Sequence, residues 1–123
     1  MNKVLIIEDE QEQLMIFQTV LDMRGLSTRV ASTSAEVIIA LADDKPDLIL
    51  SDIMLKGENG LDIIEKIKND EGMRDVPVFV FTNTNKKDFR DRANELGVVE
   101  YIIKSETVPH ELAEKIKAFL GVK

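Results

Sequence analysis

Cysteine is absent from the 123-residue chain. Disulfides, thiolate metal sites and thiol catalysis are excluded with it, and the absence suits a reducing compartment. Basic runs are scarce: nothing exceeds the pair Lys86-Lys87, and 16 basic residues against 23 acidic ones leave a net charge of −7. Such a field repels a phosphate backbone, so direct nucleic-acid binding is not expected. The opening apolar run, Val4-Leu5-Ile6-Ile7, is four residues long and ends in acids. That is too short for a signal-peptide core or a membrane span, and a cytoplasmic protein without membrane contact is expected. Repeats, low-complexity tracts and linkers are lacking as well. The length fits one domain spanning 1–123.

What is present is a core-forming pattern. Apolar residues make up 44% of the chain and charged residues 32%, as in an ordinary globular domain. Short apolar runs alternate five times with amphipathic stretches. Val4 to Ile7, Thr28 to Ala31, Leu48 to Leu50, Val78 to Phe81 and Tyr101 to Ile103 read as strands. The intervening helices carry Leu14, Phe17, Val20 and Leu21, then Val37, Ile38 and Leu41, then Leu61, Ile64 and Ile67, then Phe89, Ala93 and Leu96, and last Leu112, Ile116, Phe119 and Leu120. Thr33 with Glu36 forms a capping box, and Asn59 and Asn85 are candidate caps. Pro109 opens the last helix, while Gly25, Gly97 and Gly121 close helices. Five βα units imply a parallel sheet covered on both faces. Right-handed crossovers make it a doubly wound three-layer sandwich, and five strands suit the flavodoxin-like order 2-1-3-4-5.

Ligands of such sheets sit beyond the carboxyl ends of the strands, at the switch point between strands 1 and 3. Strand 1 runs into Glu8-Asp9-Glu10, strand 3 into Asp52, strand 4 into Thr82 and strand 5 into Lys104. Glu8, Asp9 and Asp52 packed together repel, so either some take up protons or a cation binds. Hard oxygen ligands in a small cluster suit Mg²⁺. Lys104 can offset part of the charge when no metal is bound. Given a phosphoryl donor, the Asp52 carboxylate can attack phosphorus to form an acyl phosphate. The metal, Lys104 and the Thr82 hydroxyl would then hold the equatorial oxygens.

Residues 4–10 (VLIIEDE), 46–60 (PDLILSDIMLKGENG), 78–82 (VFVFT) and 100–104 (EYIIK) together resemble the response-regulator receiver family, over essentially the whole chain. By that resemblance Asp52 is the phosphoacceptor, Asp9 binds Mg²⁺ directly, Glu8 does so largely through water, and the Met54 backbone carbonyl is a further ligand. Thr82 and Lys104 are the hydroxyl and amine switch residues, and Tyr101 is the aromatic that reorients on activation. Met54 and Thr84 occupy positions that tune phosphoryl lifetime; an apolar Met54 favours minutes or longer. The implied donor is a phosphohistidine on a sensor histidine kinase or histidine phosphotransfer protein in a two-component phosphorelay. Output would reach an unknown partner protein through helix 4, strand 5 and helix 5. No effector domain follows Lys123, so output comes from a partner or the chain is a fragment of something longer. Enzymatic turnover is not expected beyond slow self-catalysed phosphorylation and dephosphorylation.

Three positions depart from the family pattern. Ser105 replaces the usual proline of a cis peptide, and a cis bond before a non-proline residue costs about 3–4 kcal/mol, so this loop is strained or rebuilt. Asn83 replaces a small residue and is expected to narrow access to the site. Lys56 replaces a frequent proline and is expected to loosen its loop.

Plainer readings exist for several residues. Glu8 and Asp9 also favour the positive end of the first helix, threonine is ordinary at a strand end, and Tyr101 can be simple packing. His110, the one histidine, reads as a surface residue. Other function classes remain. A Mg²⁺-dependent phosphatase with a strand-end Asp nucleophile would want a second Asp at position 54, where Met stands. A flavin or nucleotide carrier would want a Gly- or Ser/Thr-rich loop after strand 1. A scaffold that is never phosphorylated would share the same residues.

Overall fold

A computed structural model describes residues 2–122; the outermost residue at each end of the expected 1–123 domain lies outside it. The chain runs β1 (Lys3–Ile7), α1 (Gln11–Met23), β2 (Ser27–Ala31), α2 (Ser34–Asp43), β3 (Leu48–Ser51), β4 (Met54–Leu55), β5 (Glu58–Asn59), α3 (Gly60–Lys68), β6 (Val78–Thr82), α4 (Lys87–Glu95), β7 (Glu100–Ile103) and α5 (Pro109–Leu120). Five strands form one parallel sheet in the order β2-β1-β3-β6-β7, the expected 2-1-3-4-5 in chain order. Strand side chains alternate between faces, and the core divides accordingly. Leu5, Ile7, Ile49, Val78 and Val80 pack with Val37, Leu61, Ile64 and Ala93 under α2, α3 and α4. Val4, Ile6, Leu50, Phe79 and Phe81 pack with Leu21, Leu112 and Ile116 under α1 and α5.

Local signals place most helix ends. The Thr33 hydroxyl accepts from the Glu36 N–H at 3.2 Å, and the Glu36 carboxylate accepts from the Ser32 N–H at 2.7 Å, closing the α2 capping box. Asn59 caps α3 by accepting from the Leu61 N–H at 2.8 Å. Asn85 does not cap α4: its carboxamide accepts from the Arg90 guanidinium instead, and the cap position falls to Lys86 without a side-chain bond. Ile38 does not face the core. It is 66% exposed, because α2 turns Val37 and Ala40 inward and a helix cannot bury three consecutive aliphatic residues on one face.

Two features follow from tertiary packing. Residues after Asp52 form a hairpin, with Met54 paired to Asn59 and Leu55 to Glu58. Lys56 and Gly57 make its two-residue turn. Gly57 has φ +72°, and no non-glycine residue among those described has positive φ. A negative φ followed by a positive one is the type II turn. The loop expected to loosen at Lys56 forms this paired hairpin. No described peptide bond is cis. After β7 the chain turns through a single 3₁₀ turn, Lys104–Glu106, so this loop is rebuilt around a trans Lys104-Ser105 bond.

Candidate functional site

Backbone register assembles the site. Ile7 lies opposite Ser51, so Glu8 and Asp52 are the next residues past the ends of neighbouring strands, which run less than about 5 Å apart. The Asp52 N–H donates to the Ile7 carbonyl at 3.0 Å and the Glu8 N–H to the Ala31 carbonyl at 3.1 Å, extending both ladders by one residue. Thr82 pairs with Ile103, which places Lys104 just beyond the last paired residue of β7.

The side chains converge. Lys104 Nζ donates to Asp52 Oδ2 at 2.8 Å, to Glu8 Oε1, and to Gln13 Oε1 at 3.2 Å. All three charged groups are nearly buried: Glu8 is 5% exposed, Asp52 7% and Lys104 9%. Asp52 Oδ1 accepts from the N–H groups of Ile53 at 2.6 Å and Met54 at 3.3 Å. Glu8 Oε2 accepts from the Asp9 N–H at 3.0 Å. No buried side-chain nitrogen or oxygen among the described residues lacks a partner. Burial raises the Glu8 pKa, and Lys104 reverses this only in part, leaving Glu8 above its ordinary 4.5. Burial alone would lower the Lys104 pKa, but its hydrogen bonds to Asp52 and Glu8 outweigh that and hold the ammonium above 10.5.

A polar cavity of about 120 Å³ is lined by Gln13, Asp52, Met54, Asn83, Thr84 and Lys104. Thr82 is fully buried at its base, and its hydroxyl accepts from the Thr84 N–H at 3.4 Å. Asn83 is tied by its side-chain oxygen to the Ser105 N–H at 2.9 Å, bridging the loops after β6 and β7. Tyr101 stands further out. Its hydroxyl donates to the Thr84 carbonyl at 2.7 Å, and the Arg90 guanidinium lies 4.5 Å from its ring centre. Burial raises the Tyr101 pKa above 10, against the opposing pull of Arg90.

Glu8, Asp52, Thr82 and Lys104 are thus brought together, and Met54, Asn83 and Thr84 ring the opening. Asp9 is not in the cluster: its carboxylate accepts from the Lys56 backbone N–H in the hairpin turn. Accordingly, no group of three acidic or histidine side chains among the described residues is close enough to hold a metal ion. The donor set still fits a hard divalent cation. All its atoms are oxygens, and two of the acids already share a cation, the Lys104 ammonium.

Two residues were missed in the sequence. Gln13, one turn into α1, carries no motif, and only the fold brings it to Lys104. Gly60 has a detectable signal in the Asn59-Gly60 pair at a helix start. A Cβ there would lie 1.9 Å from the Asp52 carbonyl oxygen, so only glycine lets α3 begin against the residue that bears the central carboxylate.

A family model described as the response regulator receiver domain matches residues 4–117. The chain belongs to the response regulator receiver family. The polar-differentiation response regulator DivK of Brucella ovis is 32% identical over 118 residues, 96% of this chain and 95% of DivK. The phosphate regulon transcriptional regulatory protein PhoB of Pseudomonas aeruginosa is 32% identical over 117 residues, 95% of this chain. The chain spans about half of PhoB, 51% of its length. A solved two-component response regulator from Clostridium difficile superposes with a TM-score of 0.88 at 27% identity, covering 98% of this chain and 97% of that one. The five-stranded sheet with its two helical layers is the receiver fold. No helix among the described residues is long and apolar enough to cross a membrane.

Proposed function

We propose that this receiver is a phosphorylation switch whose phosphoacceptor is Asp52. The observation that carries the reading is the buried contact between Asp52 and Lys104, made beside Glu8 at the floor of a polar cavity. Asp52 Oδ2 faces Lys104, while Oδ1 is anchored by two backbone N–H groups. Such anchoring fixes the carboxylate for attack. One of its oxygens bonds to phosphorus while the N–P bond of a phosphohistidine breaks, its electron pair returning to the imidazole.

The donor would be a sensor histidine kinase or a histidine phosphotransfer protein. Glu8, Asp9, Asp52 and the Met54 carbonyl would hold Mg²⁺, which when bound offsets charge on the phosphoryl oxygens. Lys104 exchanges its contact with Asp52 for a phosphoryl oxygen, and the Thr82 hydroxyl turns from accepting the Thr84 N–H to donating to another. Met54, Asn83 and Thr84, at the opening, govern access and phosphoryl lifetime.

The output route is the face of α4, β7 and α5. Tyr101 on β7 is bonded to the Thr84 carbonyl in the loop that Thr82 would pull. Displacing that loop releases the tyrosine hydroxyl, a two-state change biased by local charge. The domain is taken as 1–123, working in the cytoplasm on a protein partner. Acetyl phosphate or beryllofluoride with Mg²⁺ tests the reading. Mass spectrometry is expected to place one phosphoryl on residue 52, and Asp52→Asn to abolish it. Labelling elsewhere, or persisting in Asp52→Asn, would refute it.

A further inference from the structure

The three acids attributed to the metal site stand in unequal positions. Glu8 and Asp52 are held by the Lys104 ammonium, whereas Asp9 is held by a main-chain donor, the Lys56 N–H, 47 residues away. The donor belongs to a built element. Lys56 is the first central residue of the type II turn between β4 and β5, with Gly57 at φ +72° as the second. The hairpin is pinned on the far side of the turn too, where the Glu58 carboxylate accepts from the Ser34 N–H at 3.1 Å at the start of α2. A bond between a carboxylate and a backbone N–H is charge-assisted and stronger than a neutral one.

We infer that the Lys56 backbone N–H is a latch that competes with the divalent cation for Asp9 and weakens metal binding. The inference rests on the metal reading above and concerns only this chain's own residues. A cation drawing Asp9 toward Asp52 must first take its carboxylate off that N–H. The latch is a property of the backbone, so any residue except proline at position 56 supplies it.

Geometry provides a clean perturbation. The first central position of a type II turn favours proline, and Leu55 before it is already in an extended strand, as a residue preceding proline requires. Lys56→Pro therefore removes the N–H and keeps the turn. Lys56→Ala removes the ammonium but keeps the N–H, so the two variants share the same loss of charge.

Calorimetric Mg²⁺ titration of the unphosphorylated chain is expected to show Lys56→Pro binding about tenfold more tightly than Lys56→Ala, the worth of one hydrogen bond to a charged group. Equal or weaker binding by the proline variant, with an unchanged circular dichroism spectrum, overturns the latch. A second readout needs no substitution. The Lys56 amide proton of the native chain is expected downfield in chelator and to move upfield on Mg²⁺ saturation; a stationary resonance also overturns the latch. Absence of any Asp52-dependent Mg²⁺ binding by the native chain would sink the metal reading and the latch together. Binding with no difference between the variants would sink the latch alone.

Discussion

Replacing Lys104 with methionine keeps most of the side-chain volume and removes the ammonium that Glu8 and Asp52 share. At 2.8 Å from Asp52, the Coulomb attraction of that one pair is about 6 kcal/mol at an effective dielectric constant of 20, and the contact with Glu8 adds to it. The acids have a cheaper escape. Asp52 keeps two backbone N–H donors, so Glu8, already raised by burial, is the group that takes a proton. Neutralising a carboxyl with an ordinary value of 4.5 at pH 7 costs about 3 kcal/mol, an upper figure for one that burial has already raised. The smaller figure decides, and Lys104→Met is expected to destabilise the metal-free receiver by about 3 kcal/mol at pH 7. Breaking one partner of a buried pair generally costs about 3–5 kcal/mol. For 123 residues this is about 12 °C in Tm.

The same reasoning fixes a pH dependence, because protonation becomes easier as pH falls. Between pH 7 and pH 5.5 the escape becomes easier by about 2 kcal/mol, so the penalty should shrink by that amount. Urea unfolding of native protein and variant in chelator at both pH values measures this. A loss below about 1 kcal/mol at pH 7, or one that does not shrink at pH 5.5, would refute the idea that the buried acids depend on the Lys104 charge.

Further outcomes are expected from other parts of the molecule. Gly60→Ala forces a Cβ against the Asp52 carbonyl and should cost about 2–3 kcal/mol in urea unfolding, whereas Gly72→Ala, whose Cβ would meet only the Asp70 carboxylate at 3.3 Å, should stay within about 0.5 kcal/mol. Because the Lys104 pKa is raised, its contribution to stability is fully present below the unfolded value of about 10.4 and is lost as pH rises through the folded one. Denaturant midpoints from pH 9 to 11.5 should therefore fall more steeply for the native chain than for Lys104→Met. Asn83→Ala opens the cavity rim and frees the Ser105 N–H, so acetyl-phosphate labelling should accelerate; equal rates would reject a gating role for Asn83.

Much of this fold is legible in one dimension. Val78 to Phe81 reads as a buried strand in any context, and Gly25, Gly97 and Gly121 stop helices because each must take positive φ. Thr33 and Glu36 cap α2 through bonds between residues three and four apart, which local sequence can specify. Where local signals compete, reading fails. Asn85 could cap a helix or bind a guanidinium, and Arg90 takes it. Val37, Ile38 and Ile39 are equally apolar, and only the angle at which α2 lies on the sheet turns the two isoleucines outward. The β4–β5 hairpin has two residues per strand, too few for a pattern to register.

The candidate site divides along the same line. Residue types at the strand ends, with the flavodoxin-like order that five βα units suit, were enough to bring Glu8, Asp52, Thr82 and Lys104 to one edge, because in a parallel sheet the ends of neighbouring strands must meet. Sequence alone could not tell which way each side chain turns once there. Asp9 follows Glu8 directly, yet one carboxylate meets the Lys104 ammonium and the other a backbone N–H 47 residues on. Gln13 at Lys104 and Gly60 against Asp52 are likewise contacts between distant segments. Short-range propensity and periodicity reside in the chain itself, whereas side-chain partners are chosen by whatever the folded backbone leaves within 3 Å.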